Sequence, residues 1–299
     1  MAKLALSPPS TSVVDKSLDP RFSIRGLRLS AGSQRSFHRA LITHHITNRM
    51  ETNRRTNINL AIAQHAVRSM WGSTPQAADL WKSIRDKDIP VKVRNFLWKC
   101  LHGCYKIGEH WLKIPSYETR GLCLLCGEIE SMSHILIECP RSPFIATIWP
   151  LAERLWSMRG SNWPTLSFGI ILGASRADFR RNGKKLKGDN RLFKTLTLES
   201  AHLIWKLRCD WVINKGTLES IPSNDEIHNR WVHAVNLRLK FDRLQTDVQR
   251  YGSKALKQDL VLQTWRGTLL NEENLPDNWI WKSGVLVGIT PRRPPGRGR

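Results

Sequence analysis

The sequence predicts a mainly α fold: helical segments ranged around a small cysteine and histidine knuckle, a long helical hairpin toward the C-terminus, and disordered ends. Three observations carry this. Apolar residues recur at i, i+3, i+4 and i+7 in several windows, the period of a helix with one buried face. A compact C-x2-C-x7-H-x4-C array interrupts those windows at Cys123, Cys126, His134 and Cys139. Both ends are rich in Ser, Pro, Gly and Arg and poor in aromatics, a composition with too little apolar surface to order a chain.

A hydrophobic content of 40% with 13 Trp in 299 residues is enough to bury a core, in one large domain or two small ones. The organisation reads as five stretches: a disordered basic segment over 1–55, a helical region with the array over 56–160, a loop-rich basic linker over 161–190, a helical C-terminal region over 191–285, and a disordered basic tail over 286–299. Residues 21–50 are rich in Arg and Ser with no acid, a composition shared with mitochondrial transit peptides, but the basic bias continues at Arg54 and Arg55 and returns at the far end of the chain.

Taken in order, residues 56–70 place Ile58, Ala61, Ile62, Ala66 and Val67 at a helical repeat, and Thr74-Pro75 opens a second helix through Ala78, Trp81 and Ile84. After Asp88-Ile-Pro90, the residues Val93, Phe96, Leu97, Cys100, Leu101 and Cys104 form a buried helix face, so Cys100 and Cys104 read as core although His102 lies between them. Gly103 and Gly108 end or bend this helix before a short one carrying His110 and Trp111. Past the array, the Pro140-Arg-Ser-Pro143 turn leads into a helix through Ile145, Ile148, Trp149, Ala152, Leu155 and Trp156.

Residues 167–174, SFGIILGA, read as either a strand or a buried loop. The polar stretch 176–191 reads as a glycine-containing loop bearing Arg180, Arg181, Lys184, Lys185 and Lys187, either a flexible phosphate-contacting loop or a solvated one. A long helix over 191–215 groups Phe193, Leu196, Ser200, Leu203, Ile204, Leu207 and Trp211, and Gly216 stops it. Ser223 and Glu226 form a capping box that opens another helix through Ile227, Trp231, Ala234, Leu237, Phe241, Leu244 and Val248. The short link between the two predicts an antiparallel hairpin. A shorter helix spans 253–265, and the tail with Arg292 and Arg293 is a low-complexity phosphate binder.

The array supplies three thiolates and one imidazole, the full ligand set of one closed tetrahedral Zn2+ site. Gly127 lets the first pair bend over the metal, and the second pair approaches from a helical turn. The bland alternative is four ordinary buried side chains, but both spacings are those of a zinc knuckle. With all four positions filled by protein, none is left for a catalytic water, so the metal is structural.

An excess of 47 Lys+Arg over 25 Asp+Glu, a net charge of +22, points to polyanionic partners, RNA or DNA above all, bound mainly through phosphates. The bland alternative is a solvated basic surface without a specific partner. Six cysteines with metal spacing suit a reducing compartment, nucleus or cytoplasm, and no apolar run reaches the roughly 20 residues a membrane span needs. Catalytic sets are missing from the sequence: no paired-aspartate polymerase turn, no Walker loop, no G-x-S-x-G elbow and no H-E-x-x-H helix. Pro276-Asp277 with Lys282 is too compressed for a restriction-type nuclease and remains a weak alternative.

Three stretches together look familiar: Leu80-Trp-Lys-Ser-Ile-Arg-Asp-Lys-Asp-Ile-Pro90, Val93-Arg-Asn-Phe-Leu-Trp-Lys99, and the array with Glu130-Ser-Met-Ser-His-Ile-Leu-Ile-Glu-Cys139. They resemble the reverse-transcriptase zinc-binding region of non-LTR (LINE-type) retrotransposons, closest in wording to fungal elements. The C-terminal stretches Glu199-Ser-Ala-His-Leu-Ile-Trp-Lys-Leu-Arg208 and His228-Asn-Arg-Trp-Val-His233 are similar to the end of the same polyproteins, so the resemblance covers about residues 25–290. It implies that a polymerase and often a ribonuclease H precede this region, and that residues 27–65 are the tail of such a ribonuclease H with its linker. It also implies that Cys123, Cys126, His134 and Cys139 are the metal ligands. A non-catalytic module that helps bind template RNA or target DNA, working with a reverse transcriptase in cis or in trans, is the function it suggests. A zinc-stapled structural or protein-interaction module is the alternative.

Overall fold

A computed structural model describes residues 32–48, 54–214 and 216–292. The chain divides after Arg54 into two units, each taken by itself. In the first, α1 (Gln34–Asn48) is a helix inside the stretch for which disorder is expected. Its 15 residues hold neither Gly nor Pro, so nothing local interrupts the helix. The disorder expected over 1–31, and Arg293 in the tail, lie outside the described residues.

In the second unit, α2 (Arg54–Trp71) and α3 (Ala77–Ile84) are helices as expected, but the buried face of α2 is Leu60, Ala63 and Val67, one step round from Ile58, Ala61 and Ile62, which are exposed; α3 buries Leu80 and Ile84. α4 (Val91–His102) buries Val93, Phe96, Leu97, Cys100 and Leu101, and Gly103 ends it in the left-handed region at φ 59°. Cys104 departs from expectation: it lies beyond that glycine and is exposed, because the chain leaves the helix before this residue can join the face of Cys100. The short α5 (Glu109–Leu112) carries His110 and Trp111. α6 (Pro143–Ser157) begins where the Ser142 hydroxyl accepts from the Ile145 amide, and it buries Phe144, Ile148, Leu151, Ala152, Leu155 and Trp156.

Two segments correct the sequence reading. Residues 168–173 are neither strand nor loop but a helix, α7 (Phe168–Gly173), whose residues are all buried. Its glycines mark a close helix crossing: a Cβ on Gly169 would fall 2.6 Å from the Ile62 carbonyl oxygen and one on Gly173 would fall 2.4 Å from Val67 Cγ2, both on α2. The expected linker over 161–190 therefore contains part of the core. The basic loop is a hairpin, β1 (Arg180–Arg181) paired antiparallel with β2 (Lys184–Lys185). Its turn residues Asn182 (φ 49°) and Gly183 (φ 75°) take the left-handed conformations of a type I′ turn, for which Asn-Gly is the strongest short signal.

α8 (Lys187–Asn214) starts four residues before the expected point and touches α4, α6 and α7 as well as α9 (Asn224–Leu244) and α11 (Gln258–Trp265), with the short α10 (Val248–Tyr251) between the last two. α8 and α9 form the antiparallel pair the sequence predicts, since Arg191 meets Asp242 at one end while Trp231 Nε1 donates to Ser200 Oγ at 2.8 Å further along. Only half of the capping box forms: the Ser223 hydroxyl accepts from the Glu226 amide, while the Glu226 carboxylate turns to Arg230 at 2.6 Å.

The buried face of α9 also differs from the expected one. Ile227, Trp231, Val235, Arg238, Leu239 and Asp242 face inward, whereas Phe241, Leu244 and Val248 are exposed. After α11 the expected tail is ordered through 292, with Val287 and Ile289 buried and Asn236 Oδ1 accepting from the Val287 amide at 2.9 Å.

Polar residues turn inward on α9 because of an ion network. The Arg191 guanidinium donates to both Asp88 oxygens (2.8 and 2.9 Å) and both Asp242 oxygens (2.5 and 2.8 Å). Asp242, fully shielded from water, also accepts from Trp265 Nε1 at 2.9 Å and pairs with Arg238 at 3.1 Å. Lys194 Nζ donates to Asp86 (2.7 Å) and Asp88 (3.0 Å), and Arg238 donates to the Asp88 carbonyl at 2.6 Å. Three carboxylates and three cations balance, and they join the turn before α4 to α8, α9 and α11. Burial alone would raise the Asp88 pKa, but Arg191 and Lys194 outweigh it and hold the carboxyl well below its usual range.

Arg191→Met leaves Asp242 without its main partner and is expected to lower unfolding free energy by about 3–5 kcal/mol, read as a lower midpoint in denaturant. A loss under about 1 kcal/mol would show that the network carries little. Because the folded pKa of Asp88 is depressed, its contribution is full above the unfolded value near 3.9 and fades as pH falls below about 4. Asp88→Asn is expected to flatten that acid limb in melts taken across pH 2–6.

Candidate metal centre

The ligands sit on a segment with little regular secondary structure, and its turns do the positioning. An antiparallel bridge between Leu122 and Ile129 closes a loop inside which the Cys123 amide donates to the Glu128 carbonyl (2.7 Å) and the Gly127 amide to the Cys123 carbonyl (2.8 Å). Gly127 holds φ at 81°, which a side chain would resist. This turn aims Cys123 and Cys126 at one point.

The second pair depends on an unusual turn. His134 and Cys139 are five residues apart, and in an α-helix such residues point about 140° from one another. Residues His134–Glu138 instead form one π turn, in which the Cys139 amide donates to the His134 carbonyl at 2.9 Å. The wider turn brings the cysteine back over the histidine. Ser131 starts it, with its hydroxyl accepting from the His134 amide at 2.9 Å.

The four ligand atoms lie within 4.8 Å of one another. Cys123 Sγ to Cys139 Sγ and Cys126 Sγ to Cys139 Sγ are each 3.8 Å, and Cys126 Sγ to His134 Nε2 is 3.3 Å. A zinc with sulfur ligands at about 2.3 Å has tetrahedral edges of about 3.8 Å, so the spacing fits zinc. Cys123, His134 and Cys139 are buried and Cys126 is half-buried. Burial pushes the Cys139 thiol up to about 12, with the Cys123 and Cys126 sulfurs adding to the push and the Arg141 amide opposing it. Burial likewise raises Cys123, opposed by the amides of Leu125 and Cys126. Thiols this crowded become thiolates when a cation stands among them, which is what a bound zinc supplies. The protein holds one zinc, and with four protein ligands its part is structural.

The knuckle is tied to the helical body at several points. Met132, Ile135 and Leu136 enter the core, each side chain worth about 1.5–3 kcal/mol on burial. Trp149 Nε1 on α6 donates to the Leu136 carbonyl at 2.8 Å. The buried Glu130 carboxylate pairs with Arg208 on α8, Nε at 3.1 Å; burial raises the Glu130 pKa and the guanidinium opposes that rise. Gly108, at φ 50°, packs so closely that a Cβ there would fall 1.9 Å from the Glu130 carbonyl oxygen. The Glu130–Arg208 strut escapes sequence reading, although Ser131, three residues before His134, stands at a cap spacing that could have been read.

The other candidate residues lie elsewhere. Arg180 pairs with Asp178 (2.8 Å), Lys185 leans toward the same carboxylate (3.4 Å), and Arg181 and Lys184 are exposed on the hairpin, with Lys187 opening α8. Arg292 is not in a loose tail: it pairs with Asp225 at 2.6 Å and exchanges backbone hydrogen bonds with the Asn229 amide group. Arg293 is outside the described residues. His102 lies outside the cysteine and histidine cluster, with its Nδ1 3.1 Å from the Thr56 hydroxyl. Asp277 is exposed at a bend, and Lys282 Nζ donates to the Asn274 carbonyl rather than to a carboxylate.

Purified protein is expected to carry one zinc per chain by atomic emission, and Cys126→Ser or a chelator to remove it and loosen residues 104–142 in hydrogen exchange. Unchanged protection in the metal-free protein would remove the structural role. Gly108→Ala, which meets both a positive φ and the Glu130 carbonyl, is expected to cost about 2 kcal/mol or more in chemical denaturation. Against known proteins, no curated protein and no solved structure matches this chain. A family model described as zinc-binding in reverse transcriptase matches residues 65–149, a span that contains all four ligands.

Proposed function

We propose that this protein is a non-catalytic, zinc-stapled nucleic-acid-binding module of the kind found at the C-terminal end of a non-LTR retrotransposon polyprotein, with fungal elements nearest in wording. The observation that carries the reading is the reverse-transcriptase zinc-binding match over a closed Cys3His site, on a chain with a net charge of +22. The zinc orders the segment that links α4 to α6, and the basic surface holds RNA or DNA by its phosphates, in cis or in trans with a polymerase. None of the six cysteines is in a disulfide, which suits zinc binding in the nucleus or cytoplasm. No helix among the described residues is long and apolar enough to cross a membrane.

A second reading has its own support. Leu122, Leu124, Ile129 and Ile213 are exposed, and three of them stand on the knuckle itself. Apolar side chains clustered there favour a docking surface for a protein such as the polymerase.

Titration of labelled RNA and DNA with the full chain separates the two. The first reading expects binding whose log K falls with log salt by about 0.9 per phosphate neutralised on duplex and about 0.7 on single strands. Absence of binding to either at 50 mM salt would leave the protein-docking reading standing alone.

A further inference from the structure

We propose that the cleft between the β1–β2 hairpin, the first turn of α8 and the end of α11 is the seat for the phosphodiester backbone of a bound nucleic-acid strand. The inference rests on the nucleic-acid reading above and gives it a place. The cleft has a volume of about 740 Å3 and is lined by Arg159, Arg181, Lys185, Lys187 and Arg266, with Asp189 as its carboxylate.

That acid is already matched. Arg159 pairs with Asp189 at 2.8 Å and donates to the carbonyls of Thr264 (3.0 Å) and Gln263 (3.2 Å), so it forms a fixed floor. Lys185 is shared with Asp178. Among the described residues, Arg181, Lys187 and Arg266 pair with no carboxylate, and all three are exposed. Burial lowers the pKa of Arg159, its acidic neighbours oppose this, and Arg266 lies close enough to lower it further. An anion between the two guanidiniums relieves that repulsion.

The walls are built rather than loose. The type I′ turn fixes the hairpin, the Leu186 amide donates to the Phe179 carbonyl (2.9 Å), and the Phe179 amide donates to Asn190 Oδ1 on α8 (2.6 Å). Gly188 touches α11 so closely that a Cβ would fall 2.3 Å from the Gln263 carbonyl oxygen. Cations held on a fixed frame lose little entropy when a phosphate arrives. The cleft has far more room than one inorganic phosphate fills, and the one exposed large apolar side chain among its lining residues, Met158, is too little to enter a bilayer. A strand with repeating phosphates suits both facts.

The test is salt-titrated binding of mixed-sequence RNA and DNA, single- and double-stranded, to the full chain and to two triple variants. One carries Arg181→Glu, Lys187→Glu and Arg266→Glu; the other carries Lys240→Glu, Arg250→Glu and Lys254→Glu, an equal change in charge at exposed residues outside the cleft. The cleft variant is expected to keep the wild-type melting temperature, lose at least about tenfold in affinity, and lower the salt slope by about 2–3 units, with the second variant much less affected. Equal losses in both variants, or none in the cleft variant, would overturn the cleft as the seat while leaving nucleic-acid binding intact. Failure of the wild-type chain to bind any of the four probes would overturn both.

Discussion

Asp242 is shut off from water, and nothing apolar can satisfy a carboxyl group placed there. Moving a carboxylate into such a place costs several kcal/mol, and a single cation with loose geometry does not recover it. Here two arginines and an indole NH surround the group, while the Arg191 fork grips a second carboxylate on its other edge. Such an arrangement tolerates little displacement, because each bond is directional and each missing bond leaves a charge unsatisfied. Apolar helix faces can slide past one another by part of a turn at modest cost. The planar guanidinium cannot, so it sets the register of α8 against α9 and the place of the turn that starts α4.

The knuckle solves the same problem with different chemistry. Between α4 and α6 the chain has only the four-residue α5, a four-residue 3-10 helix (Glu118–Gly121), the π turn and other short turns, too little regular structure to satisfy its backbone by ladders alone. A metal with four ligands supplies the fixed point, and Leu136, Glu130 and the Trp149 bond carry it onto the helical body. The two anchors meet on α8, which holds Arg191 near its start and Arg208 near its end. The long helix is thus a beam clamped by one ion network and one metal-braced lobe.

What the sequence revealed follows from which forces leave a local pattern. Helices with apolar periodicity, such as α4 and α6, and the ligand array were legible because each is written in consecutive residues. The buried face of α9 was misread because Arg238 and Asp242 look like solvent residues until their partners on α8 and before α4 are known. Phe241 and Leu244 looked like core for the converse reason. The glycines of α7 looked like chain breaks, since a close helix crossing has the same composition as a turn until α2 is placed against it. The hairpin, by contrast, is written locally, since Asn182-Gly183 names its turn type without any tertiary information.

The π turn at His134–Glu138 makes the H-x4-C interval a gear ratio. Removing one residue between histidine and cysteine would bring the ligands to the i, i+4 relation of an ordinary α-helix, and the metal could still be gripped. The apolar residues between them would then be re-phased relative to the metal, so Ile135 and Leu136 could not keep their present places in the core while both ligands kept theirs. The wide turn lets one short segment face two directions at once, toward the zinc with its ends and toward the core with its middle.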